Sequence, residues 1–125
     1  MALPRLEIDG EWFRGTDGRR YILRGVNLGG DCKVPFTPNG HTNIATDFSG
    51  HRTVSFVGRP FPLAEAGEHF SRLRAWGFNC LRLLTTWEAV EHAGPYQYDE
   101  SYLDYFAALC RLADDYGLYV FIDFH

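Results

Sequence analysis

The apolar positions change period along the chain, and each change marks an element. Over 6–24, short apolar stretches alternate with Asp9-Gly10 and Asp17-Gly18, pairs that fold one extended segment back on the next. This predicts an N-terminal β-ribbon whose last arm, Tyr21 to Leu28 (YILRGVNL), continues as the first strand of a larger sheet. No period is visible across 29–62, which is rich in Gly, Pro, Thr, Asn and His. Loops of that length in a compact domain are usually functional or disordered. From Leu63 the spacing becomes helical, with Leu63, Ala66, Phe70 and Leu73 on one face. A strand from Phe78 to Leu84 leads to a loop carrying Trp87, Glu88, Glu91 and His92. A second helix is expected to start near Ser101, with Asp104 as a weak capping box, and to bury Leu103, Phe106, Cys110 and Ala113. Leu118 to His125 reads as a further strand.

Both later strands are entered from a helix through one glycine, Gly77 and Gly117, and the preceding ones are left through long irregular loops. Glycine is favoured just past a helix end because it takes the left-handed conformation at no steric cost. Tight joints at one end of the strands and roomy ones at the other describe repeated β/α units, whose strand-to-helix loops build the active site. The predicted fold class is α/β: a β-ribbon plus the first three strands of a TIM (β/α)8 barrel. Such a barrel takes about 250 residues, so 125 residues are expected to form an incomplete single catalytic domain. Its parts would be the ribbon over 6–24, a long first βα loop over 29–62, and two helix–strand units over 63–125.

Alternation along the strands assigns faces. Leu118, Val120, Ile122 and Phe124 share an apolar side suited to lying under helices, whereas Tyr119, Phe121, Asp123 and His125 become more polar toward the strand end. Phe78, Cys80 and Arg82 face inward, with Leu81 and Leu83 outward. An inward arginine is costly unless an acceptor meets it, and no acidic residue in the chain is an obvious partner on its layer. The alternative places Arg82 on the solvated edge of a smaller, non-barrel sheet.

Composition narrows the partners. A formal net charge of −4 with scattered arginines argues against nucleic acid. No apolar run approaches the ~20 residues that span a bilayer. The N-terminus MALPRLEIDG lacks a basic segment followed by an apolar stretch, so a cytoplasmic or other intracellular location is expected. Cys32, Cys80 and Cys110 have neither the number of a disulfide framework nor metal-ligand spacing; Cys80 and Cys110 read as small buried hydrophobes. No cofactor is implied.

The segments YILRGVNL, Lys33-Val34-Pro35, FNCLRLLTTWEAVE, GPYQYDESYLDYF and LYVFIDFH, taken in order, resemble glycoside hydrolase family 5. The resemblance is strongest to its endoglycoceramidase-related branch, with fungal glucosylceramidases and steryl-β-glucosidases. It covers nearly the whole chain. It implies a retaining β-glycosidase in which one glutamate is acid/base and another is nucleophile, their carboxyls about 5–5.5 Å apart. By the resemblance both glutamates lie beyond His125, so no catalytic residue is expected within this chain, and the chain would hold the binding half of the site. The implied partner is a β-glucoside or glycolipid, with contact to a membrane lipid substrate.

Carried over residue by residue, Arg82 matches the arginine that pairs with the nucleophile and keeps it ionised. His125 matches the histidine that hydrogen-bonds sugar hydroxyls. Lys33, the only lysine, stands where this branch has a sugar-contacting lysine, although a solvated loop lysine reads equally well. Trp87 is either a platform for stacking a sugar or a lid on the core. Asn27 points inward and would brace the site. Glu88 and Glu91 match no catalytic motif and read as solvated or structural. Phe36, Phe48, Phe56 and Phe61 would either meet an apolar aglycone or anchor the first loop. Two other classes remain open: a metal-dependent barrel hydrolase with Asp123 and His125 as ligands, which would need three or four in all, and a non-enzymatic fragment.

Overall fold

The computed structural model describes residues 3–30, 32–33 and 49–125. Among the described residues, six strands, β1 (Leu6–Asp9), β2 (Trp12–Gly15), β3 (Arg20–Tyr21), β4 (Gly25–Leu28), β5 (Cys80–Thr85) and β6 (Tyr119–Phe124), accompany three α-helices, α1 (Leu63–Ala75), α2 (Trp87–Glu91) and α3 (Glu100–Asp115). Antiparallel pairing joins β1, β2 and β3 into the ribbon, and β4, β5 and β6 form a separate parallel sheet in sequence order. Helices cross between the parallel strands, α1 between β4 and β5 and α2 with α3 between β5 and β6, the arrangement of β/α units.

The expected continuous arm from Tyr21 to Leu28 is interrupted. The chain leaves the ribbon after Tyr21 and joins the parallel sheet only at Gly25. Asn79 makes this handover possible. Its side-chain oxygen accepts from Arg24 N at 2.7 Å, and its Nδ2 donates to the Ile22 carbonyl at 3.0 Å. Backbone groups that leave one ladder must find other partners, and one side chain supplies two of them. The ribbon is tied to the start of β6, where the Tyr119 hydroxyl donates to the Pro4 carbonyl at 2.7 Å and Tyr21 meets Tyr119 edge-on at 5.8 Å.

Helices α1 and α3 end alike. Gly77 (φ 91°) follows α1 and Gly117 (φ 74°) follows α3. Phe78 N reaches back to the Leu73 carbonyl and Leu118 N to the Ala113 carbonyl, the closing bond that lets a left-handed residue terminate a helix. The next residues are therefore aimed straight into β5 and β6. At its other end α3 starts one residue earlier than expected, because Asp99 caps it by accepting from Tyr102 N at 3.0 Å; Asp104 plays no part in the cap. The segment expected to be a loop after β5 contains α2, capped by Thr86 through Ala89 N.

The core lies between the parallel sheet and α1 and α3. Phe56, Phe70, Leu81, Leu83, Leu109 and Leu118 are all fully buried, each worth about 1.5–3 kcal/mol relative to exposure. The buried face of α3 is rotated from the expected one. Tyr102, Tyr105, Leu109 and Ala113 are buried, whereas Leu103 is 37% exposed. Both tyrosines bury their rings because their hydroxyls find partners. Tyr102 shares a 2.6 Å hydrogen bond with Thr85, and Tyr105 donates to the Phe61 carbonyl at 2.6 Å. The outer side of β6 also departs from expectation. Leu118 is buried, but Ile122 and Phe124 are 46% and 76% exposed, because none of the described helices extends over them.

The described part of the first loop is packed rather than structureless. A 3-10 turn occupies Ser49–Arg52, and Val54 and Phe56 join the core. His92 bridges that turn to α3, with Nδ1 at 2.9 Å from the Arg52 carbonyl and Nε2 at 3.0 Å from the Asp99 carboxylate.

Candidate active site

The parallel register determines which side chains meet on the inner face. Asn27 lies opposite Arg82 and Arg82 opposite Phe121, while Asp123 lies opposite Leu84, one inner-face step further along. Parallel neighbours point the same way from a pleated sheet, so Asn27, Arg82, Phe121 and Asp123 share one surface. With Leu23, Gly25, Val26 and Cys80, the first three of these line a cleft of about 380 Å³.

Arg82 is the centre of this surface. Its Nη1 donates to Asn27 Oδ1 at 3.3 Å, and its Nη2 lies 2.9 Å from Asp123 Oδ2. The expectation that no carboxylate would meet it is therefore corrected. A long arginine side chain spans the stagger between adjacent strands, and Asp123 is within its reach. Asp123 Oδ2 is sealed from solvent, and its approach to Arg82 is an ion pair without the alignment of a hydrogen bond. His125 stands just past the end of β6, where its backbone N–H is held by the Thr85 carbonyl at 2.9 Å. Its Nδ1 lies 3.7 Å from the same Asp123 oxygen. Arg82 and His125 keep 46% and 42% of their side-chain surface exposed against 17% for Asp123. The two groups able to touch a ligand face the opening, and the carboxylate lies beneath them.

Trp87 and Lys33 do not join this cluster. Trp87 is 74% exposed on α2 and is not among the residues packed against the described core. Its indole Nε1 donates to Glu91 Oε2 at 2.6 Å, and the other Glu91 oxygen accepts from Tyr96 N. Glu91 is thus a structural carboxylate that fixes an exposed indole and the turn behind it. Lys33 is exposed and makes no hydrogen bond or ion pair among the described residues. Phe56 meets Tyr102 edge-on at 6.2 Å and Phe61 meets Phe70 edge-on at 5.7 Å. These two anchor the loop, while Phe36 and Phe48 lie outside the described residues. Among the described residues no group of three His, Cys, Asp or Glu converges as metal ligands. The carboxylate proposed as a ligand beside His125 is engaged by Arg82.

Parallel strands joined by helical crossovers, with polar side chains gathered toward their C-terminal ends, are the units from which a β/α barrel is built. A family model described as Cellulase (glycosyl hydrolase family 5) matches residues 38–125, and the chain belongs to that family. It is 46% identical over 125 residues to a glucosylceramidase of Aspergillus fumigatus, covering 100% of this chain and 16% of that protein. It is 40% identical over 130 residues to an ergosteryl-beta-glucosidase of Saccharomyces cerevisiae, covering 99% of this chain and 17% of that one. Among solved structures, sterylglucosidase 1 of Cryptococcus neoformans superposes with a TM-score of 0.79 at 39% identity, covering 91% of this chain and 16% of that chain. An exo-beta-1,4-mannosidase, Op5Man5 from Opitutaceae bacterium strain TAV5, superposes at 0.66 with 22% identity over 94% of this chain and 18% of its own, a likeness of fold. The chain is the N-terminal portion of a (β/α)8 barrel, and it spans 16–17% of the length of these two curated relatives.

Proposed function

We propose that the whole protein is a retaining β-glycosidase that hydrolyses β-glucosides of large apolar aglycones, ceramide or sterol, and that this chain supplies the binding part of its site. The observation that carries the reading is the Arg82 guanidinium held on the inner face by Asn27 at 3.3 Å and Asp123 at 2.9 Å. A fixed cation there favours the ionised form of a carboxylate brought against it. In this reading that carboxylate is the nucleophilic glutamate contributed by a later strand, and Arg82 holds it charged and aimed. His125, at the strand end beside Arg82, hydrogen-bonds hydroxyls of the glucose being cleaved. Trp87, exposed on α2 with its indole bonded to Glu91, offers its face to a sugar in this reading. The names of the relatives, glucosylceramidase and ergosteryl-beta-glucosidase, support a glycolipid over a polysaccharide substrate. The substrate would be taken from a membrane surface; no described helix is long and apolar enough to cross one.

The test is a substrate panel on the whole protein: glucosylceramide, a steryl β-glucoside and a cello-oligosaccharide, each in mixed micelles. Hydrolysis of either lipid glucoside at least about tenfold faster than of the oligosaccharide supports the reading. Preference for the oligosaccharide overturns it.

A further inference from the structure

Asp123 meets no ligand in the reading above, yet it lies against Arg82 and His125, which do. Its Oδ2 lies 2.9 Å from Arg82 Nη2 and 3.7 Å from His125 Nδ1. It is also the most buried of the three, with that oxygen sealed from solvent. A carboxylate withdrawn from water is tolerated where cations meet it. It is too deep beneath the opening to contact a ligand that Arg82 and His125 reach first. Arginine carries five N–H donors in a rigid planar fork. Asn27 takes one Nη1 donor and Asp123 faces Nη2, which fixes the plane of the fork and leaves the remaining donors for the opening of the site.

We propose that Asp123 is a positioning residue, which orients the Arg82 guanidinium toward a second acceptor arriving over the sheet. The inference rests on the glycosidase reading for what that acceptor is, and on the geometry alone for the orientation. Asp123 forms and breaks no bond. It acts through Arg82, so its removal matters only while Arg82 is present. This separates it from a residue that merely supports the strand, whose loss would add to any other.

The experiment is a double-mutant cycle in the whole protein with Asp123→Asn, Arg82→Ala and the pair, followed by kcat and KM on an aryl β-glucoside. A misplaced catalytic group costs on the order of a hundredfold. Asp123→Asn is therefore expected to lower kcat by about tenfold to a hundredfold with KM within about threefold. The double variant should be within about threefold of Arg82→Ala alone. If the two losses multiply, or Asp123→Asn keeps kcat within about twofold of wild type, the inference is overturned. Asp123→Glu restores the charge and is measured in the same cycle should the Asn variant fail to fold. Crystallography of Asp123→Asn, or of Asp123→Glu in the same event, reads the orientation without activity. In the Asn variant Arg82 should leave Asn27, and in the Glu variant it should keep both partners. The opposite positions overturn the proposal even if the wild-type protein proves not to hydrolyse glucosides, whereas failure of the wild type alone counts only against the glycosidase reading.

Discussion

Arg82 and Asp123 meet at 2.9 Å although their backbones are not opposite one another. Arg82 pairs in register with Phe121, and Asp123 sits one inner-face step nearer the strand end. The guanidinium leans along β6 toward the C-terminal edge of the sheet, where a barrel carries its chemistry. The stagger thus carries the guanidinium of a mid-strand arginine toward the ends of the strands.

Removing that group should cost turnover before affinity. In the whole protein Arg82→Ala is expected to reduce kcat by about a hundredfold or more while KM moves far less, because its partner's charge matters most in the transition state. Arg82→Lys should also be poor, since one ammonium cannot engage Asn27 and a second acceptor in a plane. Steady-state kinetics on an aryl β-glucoside checks both. Near-normal turnover for Arg82→Ala would mean that the inner face of this sheet is not the site.

The junction of β4 with β5 has no room for a methyl group. A Cβ placed on Gly25 would lie 2.6 Å from the Cys80 carbonyl oxygen, a backbone atom that cannot move without opening the ladder. Gly25→Ala should lower stability by about 1–3 kcal/mol, the usual cost of overpacking. Thermal unfolding of the whole protein measures it, and an unchanged midpoint would contradict the close approach.

Cys32 should be chemically inert in the folded protein. Burial pushes its thiol from the ordinary 9.0 up to about 12, because a low-dielectric surrounding disfavours the thiolate. Only the thiolate is alkylated, so its population at neutral pH falls by on the order of a thousandfold. Iodoacetamide labelling read by mass spectrometry should leave Cys32 unmodified until denaturant is added. Labelling in the native state at the rate of a free thiol would show that the residue is not enclosed.

Taken alone, the 125 residues should neither catalyse nor fold cooperatively. Phe121, Ile122 and Phe124 of β6 are 60%, 46% and 76% exposed, and a sheet edge with that much apolar surface invites association. Near-UV circular dichroism of the isolated chain should show no sharp transition, and an aryl β-glucoside should not be turned over. A soluble monomer with a cooperative transition would make the chain an independent domain, and turnover would assign chemistry to its own carboxylates.

The element boundaries that could be read in advance were those written in local chemistry. Gly77 and Gly117 closed their helices where expected, because positive φ is a demand that few residues meet. The buried face of α3 differs from the expected one because a tyrosine is ambiguous until the partner of its hydroxyl is known. Thr85 lies 17 residues from Tyr102, and the Phe61 carbonyl 44 from Tyr105. Break and handover at 22–24 depend on Asn79, more than fifty residues away. The inward faces of Arg82, Asp123 and His125 followed from alternation alone, but the Arg82–Asp123 contact depends on the register between β5 and β6, which no local pattern records. Trp87 announced itself as an aromatic in a loop, and its exposure depended on a short helix capped by Thr86.

A covalent mechanism proceeds with net retention, and the anomer first released from a β-glucoside reads it directly. Proton NMR of the whole protein acting on an aryl β-glucoside should show β-glucose appearing first, with the α-anomer rising only as mutarotation proceeds. First appearance of α-glucose would contradict it, since a site built for inversion spaces its carboxyls about 6.5–9.5 Å apart for an intervening water.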